Sequence, residues 1–498
     1  MNKEEALRKY EEWRKKINAY NAVMNLAYFD KETVAPRDAA DKRNEVLNYM
    51  SGEIYDIETD PELIKAVECL KNEDLGELLN REIYFVSKSL DDVTKFTKEE
   101  TMEYQKACLD AWETWYKGKK DNDYSVFAPS LKKLIELQKY RCSKRNPDKK
   151  AYDVLLDDFE ESMSVDKYEP FFKLIKEEII PLIKIVNTKR DEVDNSFLHK
   201  YYPADIQRKF AKDLLHYLHF EGWGYMGETE HPFTDGIFRD DVRITTRYDE
   251  HNIASTIFSI IHETGHAYYE HQIDPKYDGS PVCMYISSGM HESQSRFLEN
   301  YIGRSKAFWV NLYPVLQSYF HENLGDVSLD DFIRGINASG SSLIRTEADE
   351  LTYPVHILIR YEIEKGIFDG SISTDNLNVV WNEMYKKYLD IDVPGDDVGI
   401  LQDVHWSNSS FGYFPTYALG SAIGAQLYKT MCEKMDVNKC LTEGNFMAVE
   451  EYLKENVQYD GAMHDYNYIL KRATGEEFNP SYYIDYLKNK YKELYNIK

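Results

Sequence analysis

The chain has 498 residues, of which 43% are hydrophobic and 30% are charged, as is usual for a globular protein. Its 87 acidic residues outnumber its 61 basic residues, so the formal net charge of −26 disfavours nucleic acid and anionic membrane surfaces as partners. The sequence contains no run of about 18 apolar residues, the length that a membrane span needs.

The N-terminus and the cysteines together indicate the compartment. The first seven residues, MNKEEAL, are charged and lack the apolar core of a signal peptide. The six cysteines are scattered along the chain without a CxxC pair, which is typical of reduced thiols rather than of disulfides or a sulfur metal site. We therefore expect a cytoplasmic protein.

Helical periodicity covers almost the whole chain. The first segment shows it with apolar residues at three- and four-residue steps, namely Leu7, Tyr10, Trp13, Ile17 and Tyr20. Similar patterns cover residues 131–140, 168–186 and 357–367. Because no linker rich in proline or serine interrupts these patterns, we expect one domain over residues 1–498 that is mainly α-helical.

Residues 222–249 depart from the helical pattern. Glycines and a proline cluster at the start of this region, and Asp241–Thr246 then alternates in the manner of a strand. An exposed strand edge next to a catalytic helix can bind an extended peptide through its backbone. The alternative is a hairpin that only packs on the helices, and the pattern alone favours neither.

His262-Glu263-Thr264-Gly265-His266 has the form His-Glu-x-x-His and follows an apolar run, residues 253–261. Residues four apart on a helix lie one turn above each other, so both imidazoles can reach one metal ion. Glu263 would then act as general base toward a water activated by that ion. A polar helix with a chance match is the alternative, but buried histidine and glutamate would still need partners.

A third metal ligand is predicted on the next helix. Catalytic zinc typically has three protein ligands and keeps one open position. Glu292 and Glu299 lie seven residues apart on one helix face, about 25 residues beyond the motif, and spacing favours Glu292 only slightly. His291 is a competing candidate that points about 100° away from Glu292 on a helix.

Six motifs in this order give the chain a specific resemblance. They are His231-Pro232-Phe233, residues 241–245 (DVRIT), residues 262–266 (HETGH), residues 291–294 (HESQ), residues 344–349 (IRTEAD) and residues 399–406 (GILQDVHW). Over nearly its whole length the sequence resembles the carboxypeptidase Taq family of thermostable metallocarboxypeptidases. In the family pattern the glutamate of the His-Glu-Ser motif is the third ligand, which implies Glu292. One segment departs from the pattern, Phe29–Pro36 (FDKETVAP), and it lies far in sequence from the metal motifs.

The resemblance implies a fold and an activity. The fold would have two helical halves that flank a long deep groove, as in neurolysin-like and angiotensin-converting-enzyme-like peptidases, with a small β-sheet near the metal. Catalytic motifs would lie within residues 231–417, and the N-terminal part, about residues 1–200, would form a groove wall and dimer contacts. The protein would be a homodimer that removes single C-terminal residues from peptides with broad specificity, disfavours C-terminal proline, and binds one Zn²⁺ per chain, with Co²⁺ able to substitute.

Substrate recognition requires further polar groups around the metal. A terminal carboxylate calls for arginine, and Arg345 is the first candidate and Arg360 the second, although either could pair with a structural carboxylate instead. Oxyanion stabilisation needs a donor, for which His405 and Tyr413 are the catalytic candidates. His231, Arg243 and Tyr417 are further substrate-binding candidates. Asp349 and Asp403 are candidate partners for the metal-binding histidines.

Three other functions compete with the carboxypeptidase. An oligoendopeptidase of the neurolysin type would use the same metal site without requiring a free C-terminus. An aminopeptidase is less favoured because the sequence lacks a Gly-x-Met-Glu-Asn segment. A catalytically silent peptide-binding scaffold would have no need of Glu263.

Overall fold

The computed structural model describes residues 1–498, apart from the side chains at positions 37, 40, 41 and 92. The α-helices run, in chain order, α1 Lys3–Thr33, α2 Ala40–Glu58, α3 Pro61–Leu70, α4 Glu77–Thr94, α5 Lys98–Asp121, α6 Ala128–Arg145, α7 Ala151–Phe159, α8 Val165–Leu174, α9 Ile180–Asn187, α10 Ala204–Tyr217, α11 Ile253–Gln272, α12 Ser288–Arg296, α13 Lys306–Tyr319, α14 His321–Leu324, α15 Leu329–Ile336, α16 Tyr353–Asp369, α17 Leu377–Leu389, α18 Phe414–Lys434, α19 Val437–Thr442, α20 Met447–Leu453, α21 Tyr466–Thr474 and α22 Ser481–Leu494. The predicted fold class, mainly α with a small sheet, is confirmed. None of the described helices is long and apolar enough to cross a membrane.

One three-stranded sheet precedes the helix of the metal motif. Its strands are β1 Gly224–Glu228, β2 Thr234–Phe238 and β3 Asp241–Thr246, in the order β1-β3-β2. The predicted strand is therefore present, and of the two alternatives left open for it, an exposed edge on Asp241–Thr246 itself is excluded. β1 pairs with β3 in parallel and β2 pairs with it antiparallel, so both edges of β3 are occupied. The edges of this sheet are β1 and β2.

The apolar core is divided into two clusters. The larger cluster extends from Ala107 to Tyr495 and includes residues of the central strand β3 and of α11. The smaller cluster belongs to α1, α3 and α4, and its buried members are Ala6, Tyr10, Leu63, Ala66, Val67, Leu70, Ile83, Val86 and Leu90. The first helices thus form a layer with its own core, within the part of the chain predicted to form a groove wall.

The segment that departs from the family pattern lies close in space to the sheet. Phe29 is buried, and its ring contacts those of Tyr225 and Phe233 with centroids 6.0 Å apart in each case. Distance in sequence is therefore a poor guide here, because the end of α1 packs on the strands that precede the metal motif.

Candidate metal centre

The helix α11 presents the two histidines of the motif. The side chain of Asn252 caps it by accepting a hydrogen bond from the backbone N–H of Ser255, which satisfies one of the free donors at the helix start. Its apolar residues Ile253, Ile257, Ile260 and Ile261 are buried, so the helix has a fixed orientation. His262 and His266 follow one turn apart and remain partly accessible.

The helix α12 brings the carboxylate, and two glycines allow it to come close. A Cβ atom at Gly265 of α11 would lie 2.5 Å from the carbonyl oxygen of Gln294 and 2.7 Å from Cα of Ser295. A Cβ atom at Gly420 of α18 would lie 2.7 Å from Cβ of Glu292. Only glycine permits this approach, which holds Glu292 between α11 and α18.

Three ligand atoms of His262, His266 and Glu292 lie within 4.8 Å of one another. Oε2 of Glu292 is 3.6 Å from Nε2 of His262 and 3.4 Å from Nε2 of His266. Ligands held about 2.0–2.1 Å from a tetrahedral zinc ion lie about 3.4 Å from each other, so these separations fit such an ion. Two imidazoles and one carboxylate are also the donor set of a class of catalytic zinc sites.

A second group of side chains surrounds these three. Nδ1 of His262 lies 2.9 Å from Oε2 of Glu299. Arg296 donates to Oε1 of Glu292 at 2.7 Å and to Oε2 of Glu299 at 3.0 Å. The hydroxyl of Ser295 donates to Oε2 of Glu292 at 3.0 Å. Residues 297–302 form a π-helical turn that continues α12, a local widening that is frequent at functional sites.

Glu299 therefore forms the contact with His262 that the sequence analysis assigned to Asp349 or Asp403. Asp349 instead accepts hydrogen bonds from Ser339, Gly340 and Thr352 and organises the loop before α16. Asp403 accepts from two arginines. Neither aspartate is among the partners of His262 and His266 in the described structure, because both carboxylates are occupied elsewhere.

His291, the competing ligand candidate, does not join the three ligand atoms. Its ring stacks on Tyr285, with centroids 3.9 Å apart, and its Nε2 lies 3.2 Å from Oε1 of Glu270. Burial lowers the pKa of His291 to about 3, so the imidazole is neutral. The helical phase predicted from the sequence explains the outcome, since one residue along α12 turns the side chain away from Glu292.

Glu263 lies between the histidines and is 7% exposed. Its Oε2 accepts a hydrogen bond from the hydroxyl of Thr234 at 2.7 Å. Thr234 is the first residue of β2, so the sheet contacts the predicted general base directly.

Arg345 and Arg360 converge on one carboxylate. Arg345 donates to Oδ1 of Asp403 through Nη2 at 2.8 Å and to the hydroxyl of Tyr353 through Nη1 at 3.2 Å. Arg360 is fully buried and donates to Oδ2 of Asp403. Burial alone would raise the pKa of Asp403, but the two arginines hold it well below its usual range. Both arginines therefore pair with a structural carboxylate, which was the stated alternative to substrate binding. That carboxylate, Asp403, is more distant in sequence than the acidic residues next to Arg345.

His405, Tyr413 and Tyr417 form one aromatic group. Nε2 of His405 lies 3.2 Å from the hydroxyl of Tyr417, and the rings of Tyr413 and Tyr417 have centroids 5.1 Å apart. Burial and the nearby charge of Glu292 raise the pKa of Tyr413 to about 12, so its hydroxyl keeps its proton at neutral pH. Burial lowers the pKa of His405 to about 4, which leaves it neutral.

His231 and Arg243 lie on the sheet side. His231 is exposed and, with Phe233, lines a cavity of about 940 Å³ between the end of α1, the start of α10 and the sheet. Arg243 forms a bidentate pair with Asp241, with both distances 2.9 Å, and its guanidinium lies over the ring of Phe29. The guanidinium of Arg243 is thus fixed by Asp241, a residue of the same strand.

Sequence reasoning missed Thr234 and Arg296 and placed Glu299 only as an alternative ligand. Arg296 had a local signal, because it follows Glu292 by four residues and precedes Glu299 by three, the spacings of neighbours on a helix. The only sequence signal for Thr234 was its position directly after the His231-Pro232-Phe233 motif. Its contact with Glu263 crosses 29 residues and depends on how β2 packs on α11.

Comparison with known proteins gives consistent results. A family model described as carboxypeptidase Taq (M32) metallopeptidase matches residues 9–491. Carboxypeptidase 1 of Bacillus subtilis is 41% identical over 97% of both chains, and thermostable carboxypeptidase 1 of Thermus thermophilus is 32% identical over 96% of both. The crystal structure of the M32 carboxypeptidase from Deinococcus radiodurans superimposes with a TM-score of 0.94 at 28% identity, covering 99% of both chains. Metallocarboxypeptidase 1 of Trypanosoma cruzi gives 0.92 at 32% identity, covering 97% of this chain and 99% of that one.

Proposed function

Because the chain belongs to the carboxypeptidase Taq (M32) family and is a metallocarboxypeptidase, we propose that it removes single amino acids from the free C-terminus of peptides. Its side-chain specificity would be broad, with C-terminal proline disfavoured. The observation that carries the proposal is the group formed by His262, His266 and Glu292 with Glu263 beside it.

The metal in this proposal is zinc, one ion per chain, with cobalt able to substitute. His262, His266 and Glu292 would hold it. The hydrogen bond from His262 to Glu299 supports the assignment, since a carboxylate on Nδ1 fixes the tautomer that leaves Nε2 unprotonated. When bound, such an ion polarises the scissile carbonyl and lowers the pKa of a water molecule to about 7.

Glu263 is the general base in this proposal. It takes the proton of the attacking water and returns it to the nitrogen of the leaving amino acid. Its 7% exposure supports this role, because a carboxylate with few water contacts competes less with bulk water for the proton donor that it faces. A Glu263→Gln variant with unchanged metal content should lose activity by about 10²–10⁴-fold.

Arg345 remains our first candidate for binding the terminal carboxylate. The hydrogen bonds of Arg345 use Nε, one N–H of Nη2 and one N–H of Nη1, so one N–H of each terminal nitrogen has no partner among the described atoms. The end of a guanidinium opposite Nε can present two parallel N–H groups, which is the geometry that a carboxylate accepts. Arg360 contributes by holding Asp403, which in turn orients Arg345.

Tyr413 is our first candidate for the oxyanion donor, and His405 is the second. Tyr413 keeps its hydroxyl proton, and it is close enough to Glu292 for that charge to raise its pKa. Tyr417 would position His405 through their contact of 3.2 Å. His231 and Arg243 would contact substrate from the sheet side, where His231 lines the large cavity.

The quaternary structure and location belong to the same proposal. The protein would be a cytoplasmic homodimer, with about residues 1–200 forming a groove wall and the dimer contacts. Helix α5 supports this assignment, because Leu109, Trp112 and Tyr116 follow one another at helical spacing and are 69%, 45% and 56% exposed. A Trp112→Asp variant that sediments as a monomer would support it, and unchanged sedimentation would exclude this face.

The activity is tested with an unblocked peptide and its C-terminally amidated twin, followed by mass spectrometry with and without a chelator. The proposal predicts stepwise loss of single residues from the unblocked peptide only, and no cleavage after chelation. Internal cuts in both peptides would contradict it and favour an oligoendopeptidase. Metal binding without any cleavage would favour the scaffold function.

A further inference from the structure

The hydroxyl of Thr234 reaches the carboxylate of Glu263 from another element of the fold. Oγ1 lies 2.7 Å from Oε2 of Glu263 and 3.1 Å from its backbone oxygen. A hydroxyl has one hydrogen, and the shorter distance leads to the charged acceptor, which forms the stronger bond. Among the side chains that the structure describes, Thr234 is the one that donates to this carboxylate.

The position of this hydroxyl is fixed by the sheet. Thr234 pairs with Ile244 of the central strand. The backbone N–H and the carbonyl oxygen of the preceding residue, Phe233, both bond Thr245. The backbone N–H of Phe233 donates to the hydroxyl of Thr245 at 2.8 Å, and the N–H of Thr245 donates to the carbonyl of Phe233 at 2.9 Å. Since threonine is also stiff about χ1, the donor has little freedom.

We propose that Thr234 is a positioning residue that orients Glu263 for proton transfer. The inference rests on the proposed role of Glu263 as general base. A hydrogen bond to Oε2 fixes the torsion of the carboxylate and leaves Oε1 as the oxygen that accepts the proton of the attacking water. Without it, the carboxylate rotates between orientations, and only a fraction of them direct an oxygen at the water.

The same contact joins the base to an edge of the sheet. β2 has a sheet partner on one side only, and on its other side the backbone of Gly236 bonds the carboxylate of Glu270 in α11. Glu263 and Glu270 lie seven residues apart and so on the same face of α11. β2 is therefore held against that helix at two positions, which fixes the hydroxyl of Thr234 relative to Glu263.

Four variants test the proposal: Thr234→Val, Thr234→Ser, Glu263→Gln and the double variant Thr234→Val/Glu263→Gln. Thr246→Val is the matched control, because this buried β3 hydroxyl has no partner among the described atoms. For each variant, kcat, KM, zinc content and melting temperature are measured on the full-length protein. Valine at position 234 should lower kcat by about 10- to 100-fold with KM and zinc content unchanged, and serine should restore most of it.

The double variant separates this inference from the function on which it rests. If Thr234 acts through Glu263, the valine substitution should lower kcat no further in the Glu263→Gln background. An inactive Glu263→Gln with a fully active Thr234→Val would overturn the positioning role and leave the general base in place. An active Glu263→Gln would overturn the proposed role of Glu263 as general base, on which the inference rests. Zinc loss or failed rescue by serine in folded protein would show that Thr234 is structural and would also overturn the inference.

Discussion

Glu299 and Glu292 contact opposite edges of the same imidazole ring, that of His262. Oε2 of Glu299 is 2.9 Å from Nδ1, and Oε2 of Glu292 is 3.6 Å from Nε2. Because a carboxylate accepts, Nδ1 carries a hydrogen toward Glu299, which would leave Nε2 to offer its lone pair to a bound metal ion. The two glutamates that the sequence presented as alternatives thus lie on opposite sides of one histidine, and in the proposed function one would bind the metal and the other would orient His262.

Replacing Glu299 by glutamine should weaken metal binding by about 10- to 100-fold, because the amide no longer fixes the tautomer of His262. Competition with a zinc chelator measures the affinity. Glu322→Gln, an exposed position on α14, controls for the loss of one negative charge and should bind zinc normally. Unchanged affinity in Glu299→Gln would contradict the role given to this residue.

Removing the hydroxyl of Tyr413 should lower kcat by about 10²–10³-fold and leave KM nearly unchanged, since an oxyanion donor acts mainly in the transition state. Steady-state kinetics on one unblocked peptide measure both constants. Tyr84→Phe removes a surface hydroxyl that bonds Glu161 and should behave as the unmodified protein. A normal kcat in Tyr413→Phe would transfer the role to His405, where His405→Ala should then show the loss.

Arg345→Lys should lower kcat/KM on unblocked peptides by about 10- to 100-fold, because lysine keeps the charge near Asp403 but loses the two parallel donors. The effect should be expressed in KM for peptides with a free C-terminus. Arg472→Lys, in a surface pair with Asp460, is the control for the exchange itself. If KM is unaffected in a folded Arg345→Lys protein, the terminal carboxylate binds elsewhere.

Glu450 should make stability depend on pH. It is fully buried, and burial raises its pKa to about 8 from the ordinary value of 4.5. The folded state therefore retains a proton that the unfolded state releases, and the stability that this proton contributes is full below about pH 4.5 and is lost as the pH rises toward 8. Glu450→Gln should melt about 2–4 °C above the unmodified protein at pH 8.5 and at nearly the same temperature at pH 5. Glu451→Gln, its exposed neighbour, should show no such difference, and an equal shift at both pH values in Glu450→Gln would contradict the assignment.

Local patterns predicted most of the helices and the three side chains of His262, His266 and Glu292 that the structure brings together. Helical spacing put His262 and His266 on one face, and helical phase excluded His291. The family pattern then selected Glu292 from two equivalent glutamates. These predictions depend on residues within one helix or on motifs that occur as a unit. The information that they require is therefore local in the sequence.

Contacts between distant elements were not predictable in the same way. Asp403 meets Arg345 and Arg360 across 58 and 43 residues, and nothing in either segment specifies that pairing. The order of the strands in the sheet was also not predictable. Alternation marks Asp241–Thr246 as a strand but does not show that two other strands flank it. The role of Thr234 depends on both kinds of information.

The separate apolar cluster of α1, α3 and α4 has a consequence for cooperativity. Two cores in one chain can open at different free energies, and the layer with fewer buried contacts exchanges its amide hydrogens and admits proteases first. Trp13 packs on the small cluster, whereas Trp309 and Trp381 lie deep in the large one, so fluorescence and calorimetry would follow different events. A single melting temperature then describes only the layer that the chosen probe reports.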